Sequence, residues 1–149
     1  MKLHHVAIAV SDLDAAIEVY KEFLGVEPAV KEYEPHNLRW AVFPIGESEI
    51  QLCQNARQLS KDEAPHLPEP THRYSDFINE HGEGIHHVCI QVQNLRDSLA
   101  ALTSGRITVG APTTDDKPSI GPSAQFVFLD RSSLRGLNVE LLEIPGEQV

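Results

Sequence analysis

Histidine occurs as an adjacent pair at two places in this chain, His4-His5 and His86-His87, and the neighbouring residues match as well. Residues 3–10 read Leu-His-His-Val-Ala-Ile-Ala-Val, and residues 85–92 read Ile-His-His-Val-Cys-Ile-Gln-Val. Imidazole binds divalent transition metals and moves protons near neutral pH. Alternation selects one histidine of each pair. Val6, Ile8 and Val10 form an apolar row, with His5, Ala7 and Ala9 on the other side of the strand. The apolar row packs beneath a helix, so His5 points to the opposite, concave face. His87 does the same beside Val88, Ile90 and Val92, while His4 and His86 face away. Further along, Ile50 and Leu52 flank Gln51, and Val139 and Leu141 flank Glu140. Gln51 and Glu140 therefore share the face of His5 and His87.

Two imidazoles, a carboxylate and an amide oxygen make a plausible donor set for one divalent ion, Fe, Co, Ni, Mn or Zn. Four protein ligands leave open positions for water or substrate, as a catalytic centre requires. One histidine at a strand start is ordinarily a satisfied polar residue. A lone carboxylate between apolar neighbours is less ordinary, because burying it uncompensated is costly. The match of four positions across a duplication outweighs the ordinary explanation of each. Cys53 and Cys89 fall on the same face and read as small apolar filler.

The elements that position these residues follow from the same duplication. After each histidine strand comes a helical stripe, Leu13, Ile17, Tyr20 and Leu24 in one copy and Leu95, Leu99 and Leu102 in the other. Ser11 stands where an N-cap belongs, with Asp14 as a weak capping box, and Gly25 closes the first helix. Residues 38–45 and 49–53, joined by a Gly46 turn, read as two strands. Residues 125–129 and 137–142 play those parts in the second copy, and extended pieces around 26–33 and 106–111 complete each. The pattern is βαβββ twice. The class is α+β, a single domain over 1–149 with module 1 about 1–54, a linker about 55–83 and module 2 about 84–149. Three prolines extend the first part of the linker. Tyr74, Phe77 and Ile78 predict a short helix before the Gly82–Gly84 turn, and residues 112–124 a loop.

Bulk properties narrow the partners. The net charge is −10, and no basic cluster interleaved with aromatics offsets it, which excludes nucleic acid as a partner. No apolar run is long enough for a membrane span. Two cysteines build no disulfide framework, and the chain opens on a strand pattern rather than a leader, so the expected setting is the cytoplasm.

These residues resemble the vicinal oxygen chelate superfamily of glyoxalases, bleomycin-resistance proteins and dioxygenases, over nearly the whole chain. Within it the pattern is most similar to the methylmalonyl-CoA epimerases. The resemblance is carried by His5-Val-Ala-Ile-Ala-Val-Ser-Asp-Leu, by Gly25, by Gly82-Glu-Gly-Ile-His-His-Val, by Phe126-Val-Phe-Leu and by Gly136-Leu-Asn-Val-Glu-Leu. It implies a cupped, eight-stranded mixed sheet with helices on its outer face, and commonly a homodimer. It also implies one metal ion per chain on His5, Gln51, His87 and Glu140. The chain departs from the pattern in two places. Arg39 stands where some epimerases carry a catalytic glutamate, and Asp130-Arg131 follows Phe-Leu where the family often has His-Pro.

The expected activity is metal-dependent abstraction of a proton α to a thioester carbonyl, then its return to the opposite face, on an acyl-CoA substrate. Glu140 is the first candidate for the catalytic base. Glu49 lies two residues before Gln51, with its Cβ about 6–7 Å away on the same face, and is a second acid/base candidate. Arg39 could bind a substrate carboxylate as a bidentate fork. Three alternatives are weighed against this. An extradiol-type dioxygenase would use His5, His87 and Glu140 as a facial triad, and Gln51 argues against it. A glyoxalase I-like lyase needs basic residues for glutathione, and no clear set exists. A non-enzymatic small-molecule (antibiotic) binding protein would have little use for the ligand quartet.

Overall fold

The computed structural model describes residues 1–34, 37–57, 73–102, 105–110 and 124–149. Seven strands and three helices run in the order β1 (Lys2–Ala9), α1 (Leu13–Leu24), β2 (Ala29–Tyr33), β3 (Leu38–Ile45), β4 (Ser48–Asn55), α2 (Arg73–His81), β5 (Gly84–Gln91), α3 (Leu95–Leu102), β6 (Gln125–Leu129) and β7 (Val139–Glu143). Parallel and antiparallel pairings both occur, so the class is α+β as expected. The chain divides into two compact units, residues 6–86 and residues 1–5 with 87–149.

In the unit of residues 6–86, β2, β3 and β4 form an antiparallel ladder, with Trp40 opposite Cys53 and Val42 opposite Gln51. Gly46, at φ 62°, makes the tight turn between β3 and β4. One apolar cluster joins Leu13 and Ile17 of α1 to Val10, Ala41, Phe43 and Leu52. A second joins Ala7, Ala9, Trp40, Val42 and Cys53 to Tyr74 of α2, with Phe77 and Ile78 against it. The two helices therefore cover opposite faces of the strands. Sequence reading expected α2 but not its place, because Ala7 and Ala9 are too small to announce a covered face. The structure also moves the N-cap of α1 from Ser11 to Asp12, whose carboxylate accepts from Ala15 N at 3.0 Å. Ser11 is committed elsewhere: its amide and its hydroxyl both donate to Glu83 Oε1.

In the other unit the strand order is β5-β7-β6, with β5 and β7 parallel and β7 and β6 antiparallel. Cys89 lies opposite Glu140, which lies opposite Phe128. Leu95 of α3 packs with Val92, Val127, Leu129 and Leu141 on one face, and Cys89, Ala124, Phe126 and Leu142 cluster on the other. The strand expected at 106–111 is reduced, among the described residues, to a single bridge between Val109 and Leu129. Among the described residues the count is thus seven strands rather than eight. Gly110 passes so close to β6 that an added Cβ would stand 2.9 Å from the Phe128 carbonyl oxygen. The loop expected at 112–124 and the prolines of the linker lie, apart from Ala124, outside the described residues.

The duplication holds at the level of single hydrogen bonds. Val10 N donates to Cys53 O at 3.0 Å, and Val92 N to Leu142 O at 2.8 Å. Leu13 N donates to Gln54 Oε1 at 3.3 Å, and Leu95 N to Glu143 Oε2 at 2.6 Å. Asn94 caps α3 through Asp97 N at 2.9 Å, as Asp12 caps α1. Cys53 and Gln54 stand two and three residues after Gln51, as Leu142 and Glu143 stand after Glu140. Gln51 and Glu140 therefore occupy equivalent places in the two copies.

Candidate metal centre

β1 is divided between the units, and its first residues, through His5, belong with the second copy. This places His5 beside His87 of β5 and Glu140 of β7. All three are buried, at 3%, 3% and 0% exposure. His5 Nε2 lies 3.1 Å from His87 Nε2. Glu140 Oε2 lies 3.1 Å from His87 Nε2 and 3.7 Å from His5 Nε2. The Phe128 and His87 rings meet edge to face, with centroids 5.2 Å apart, which sets an apolar ring against the imidazole.

The trio fits a divalent cation. Ligand atoms bound at about 2.0–2.2 Å to one centre stand roughly 3.0–3.6 Å apart, close to the three spacings seen. Both imidazoles turn the same nitrogen, Nε2, to a carboxylate withdrawn from water, an arrangement in which a shared cation offsets the cost of burying the charge. The trio is also a two-histidine, one-carboxylate set of the kind that binds first-row metals.

The other expected site residues lie in the unit of residues 6–86. Gln51, half-buried on β4, donates from Nε2 to Glu49 Oε2 at 2.7 Å, which turns its carbonyl oxygen away from Glu49. Arg39 of β3 grips both Asp14 oxygens, at 3.0 and 2.7 Å, and its Nε lies 3.2 Å from Glu32. The Arg39 hydrogen bonds hold the Asp14 carboxyl below the usual carboxylate range.

Two neighbours stand closer to His5 than their sequence assignments, facing away for His4 and apolar filler for Cys89, would place them. His4 was expected to face away, yet its ring turns back and its Nδ1 lies 2.8 Å from His5 Nδ1. Cys89 has its sulfur within 4.8 Å of ring nitrogens of His4 and His5. Alternation fixes where a Cβ points, not where a ring with two rotatable bonds ends up. His86 does leave the cluster, and packs against the rings of Tyr74 and Phe77 at 4.8 and 5.0 Å.

A family model of the Glyoxalase/Bleomycin resistance protein/Dioxygenase superfamily matches residues 4–120. The chain belongs to this superfamily. It is 28% identical to the mitochondrial methylmalonyl-CoA epimerase of Dictyostelium discoideum over 146 residues, 95% of this chain and 78% of that protein. It is 29% identical to the ethylmalonyl-CoA/methylmalonyl-CoA epimerase of Cereibacter sphaeroides over 149 residues, 96% of this chain and 98% of that protein. Among solved structures, a Streptomyces coelicolor methylmalonyl-CoA epimerase in complex with 2-nitronate-propionyl-CoA superposes with a TM-score of 0.75. That match has 22% identity and covers 100% of this chain and 98% of the other, a likeness of fold. Among the described residues no helix is long and apolar enough to cross a membrane.

Proposed function

We propose that this chain is a metal-dependent epimerase that inverts the carbon α to the thioester carbonyl of a methylmalonyl-CoA-like substrate. The observation that carries the reading is the buried His5, His87 and Glu140 trio, in a chain whose similar relatives bear epimerase names. These three residues would hold one divalent ion, of Co, Mn, Ni, Fe or Zn type. Gln51, the equivalent of Glu140 in the other copy, is the proposed fourth ligand. Bound there, the ion supplies Lewis acidity to the carbonyl oxygen of an enolising substrate.

The chain's own residues supply the proton chemistry. The α C–H bond breaks, its electron pair moves toward the carbonyl oxygen, and the proton passes to a carboxylate. A second acid returns a proton to the opposite face. Glu140 is the base in this proposal, and Glu49, hydrogen-bonded to Gln51, is the second acid/base group. The substrate carboxylate is assigned to Arg39, where it would replace Asp14 in the guanidinium fork. Cys53 and Cys89 suit a reducing, cytoplasmic setting.

The test is solvent-deuterium exchange into methylmalonyl-CoA. Exchange that requires an added divalent ion, and that falls on Glu140→Gln, is the expected result. A second reading, an extradiol-type dioxygenase, is favoured by one observation: the trio has the two histidines and one carboxylate that a facial triad uses. Oxygen uptake with catechols and no deuterium exchange would replace the epimerase by that reading.

A further inference from the structure

We propose that His4, His5 and Cys89 form a second cation site, for thiophilic ions such as Zn2+, Cd2+ or Cu+, and that its occupation excludes an ion from the His5, His87 and Glu140 centre. One ligand atom from each of the three residues lies within 4.8 Å of the other two. The donor set is two nitrogens and one sulfur. The neighbouring centre offers two nitrogens and one oxygen. Soft thiolate favours thiophilic ions, and carboxylate favours harder ones.

The coupling follows from the His5 ring. Its Nε2 faces His87 at 3.1 Å and its Nδ1 faces His4 at 2.8 Å. A neutral imidazole carries one proton and one available lone pair. An ion on Nδ1 requires the proton on Nε2, which removes His5 from the His87–Glu140 side. An ion on Nε2 requires the proton on Nδ1, where it is donated to His4. A metal ligand usually donates its second ring N–H to such a partner, which fixes the tautomer. As long as the ring keeps its one proton, a single imidazole thus serves the two sites one at a time.

Access and charge are consistent with this. His4 is half-exposed and gives an approach from solvent, while the Cys89 thiol is fully buried beside it. The bound ion would displace the thiol proton to solvent, one proton per ion, and the thiolate formed offsets part of the ion's charge.

The experiment uses CdCl2 with the full, metal-free chain and reads the ultraviolet thiolate-to-cadmium charge-transfer band. One equivalent should build the band. Cys53→Ala, which leaves Cys89 as the sole thiol, should keep it, and Cys89→Ala should lose it. His4→Ala should weaken cadmium binding about tenfold or more. Saturating Cd2+ should remove the visible spectrum of Co2+ at the other centre. His87→Ala should keep the cadmium band, so the result can be read even if the epimerase reading fails. Cadmium NMR on the Cys53→Ala chain covers the case in which Cys89→Ala does not fold. A one-sulfur resonance supports the site, and a resonance from oxygen and nitrogen ligands alone overturns it. A band that survives Cys89→Ala, no band in the unaltered chain, or simultaneous binding of Cd2+ and Co2+ would equally overturn the proposal.

Discussion

At the residue scale, the two histidine pairs separate into different tasks, and substitution should show it. His87 faces the Glu140 carboxylate at 3.1 Å, whereas His86 packs against the Tyr74 and Phe77 rings. His87→Ala should empty the proposed metal centre and abolish the proposed exchange activity. His86→Ala should keep the ion and lose stability, by about 1–3 kcal/mol, through the packing it deletes. Metal content by elemental analysis, read beside the urea midpoint, checks both. Glu140→Gln keeps the shape of a fully buried side chain but removes its charge and its capacity as a base. Turnover should fall by a factor on the order of 10²–10⁴, and unchanged turnover would remove Glu140 from the mechanism. The meeting of His5, His87 and Glu140 was legible in the sequence because strand alternation is rigid. The sequence could not show the ring of His4 turning back to His5, because that depends on rotamers.

At the element scale, the helix stripes and the histidine strands were legible from periodicity, since one period belongs to a helix and the other to a strand. The cap of α1 was misread by one residue because Ser11 and Asp12 are both good caps, and the choice was settled by a long-range partner. Glu83, 72 residues away, accepts from the Ser11 amide at 2.6 Å and also from its hydroxyl. Asp12→Ala should cost about 1 kcal/mol by denaturant melts, as a lost N-cap does. Glu83 also sets an acid limb. The Ser11 hydrogen bonds hold its carboxyl below the ordinary value. Its contribution is therefore present above the unfolded carboxylate pKa and is lost as pH falls through the lower folded one. Glu83→Gln should thus lower the melting temperature at neutral pH, and the gap to the unaltered chain should close on acidification. A gap that stays constant down to strongly acid pH would show that Glu83 acts by packing alone. The eighth strand failed for a related reason. Ile107 and Val109 supply a short apolar alternation, but among the described residues of that stretch only Val109 finds a bridge partner.

At the scale of the whole molecule, residues 1–5 fold with residues 87–149 rather than with the strand and helix that follow them. The repeat in the sequence marks the copies but not this exchange, because contact between distant segments leaves no local pattern. It has a consequence for stability. In the unfolded chain His5 and His87 are separated by 82 positions, so the trio exists as a set only in the folded state. An ion held by His5, His87 and Glu140 must then stabilise the fold by mass action, by about 2.7 kcal/mol when its free concentration is a hundred times its dissociation constant. For a chain of this length that corresponds to a rise in melting temperature of roughly 5–10 °C. Scanning calorimetry of chelator-treated protein, before and after adding back a divalent ion, should show the rise. His5→Ala should lower the chelated baseline through the packing of a buried ring that it deletes, and should abolish the further rise that the ion brings. A rise that persists in His5→Ala would mean that the ion binds elsewhere, and that the N-terminal strand takes no part in holding it.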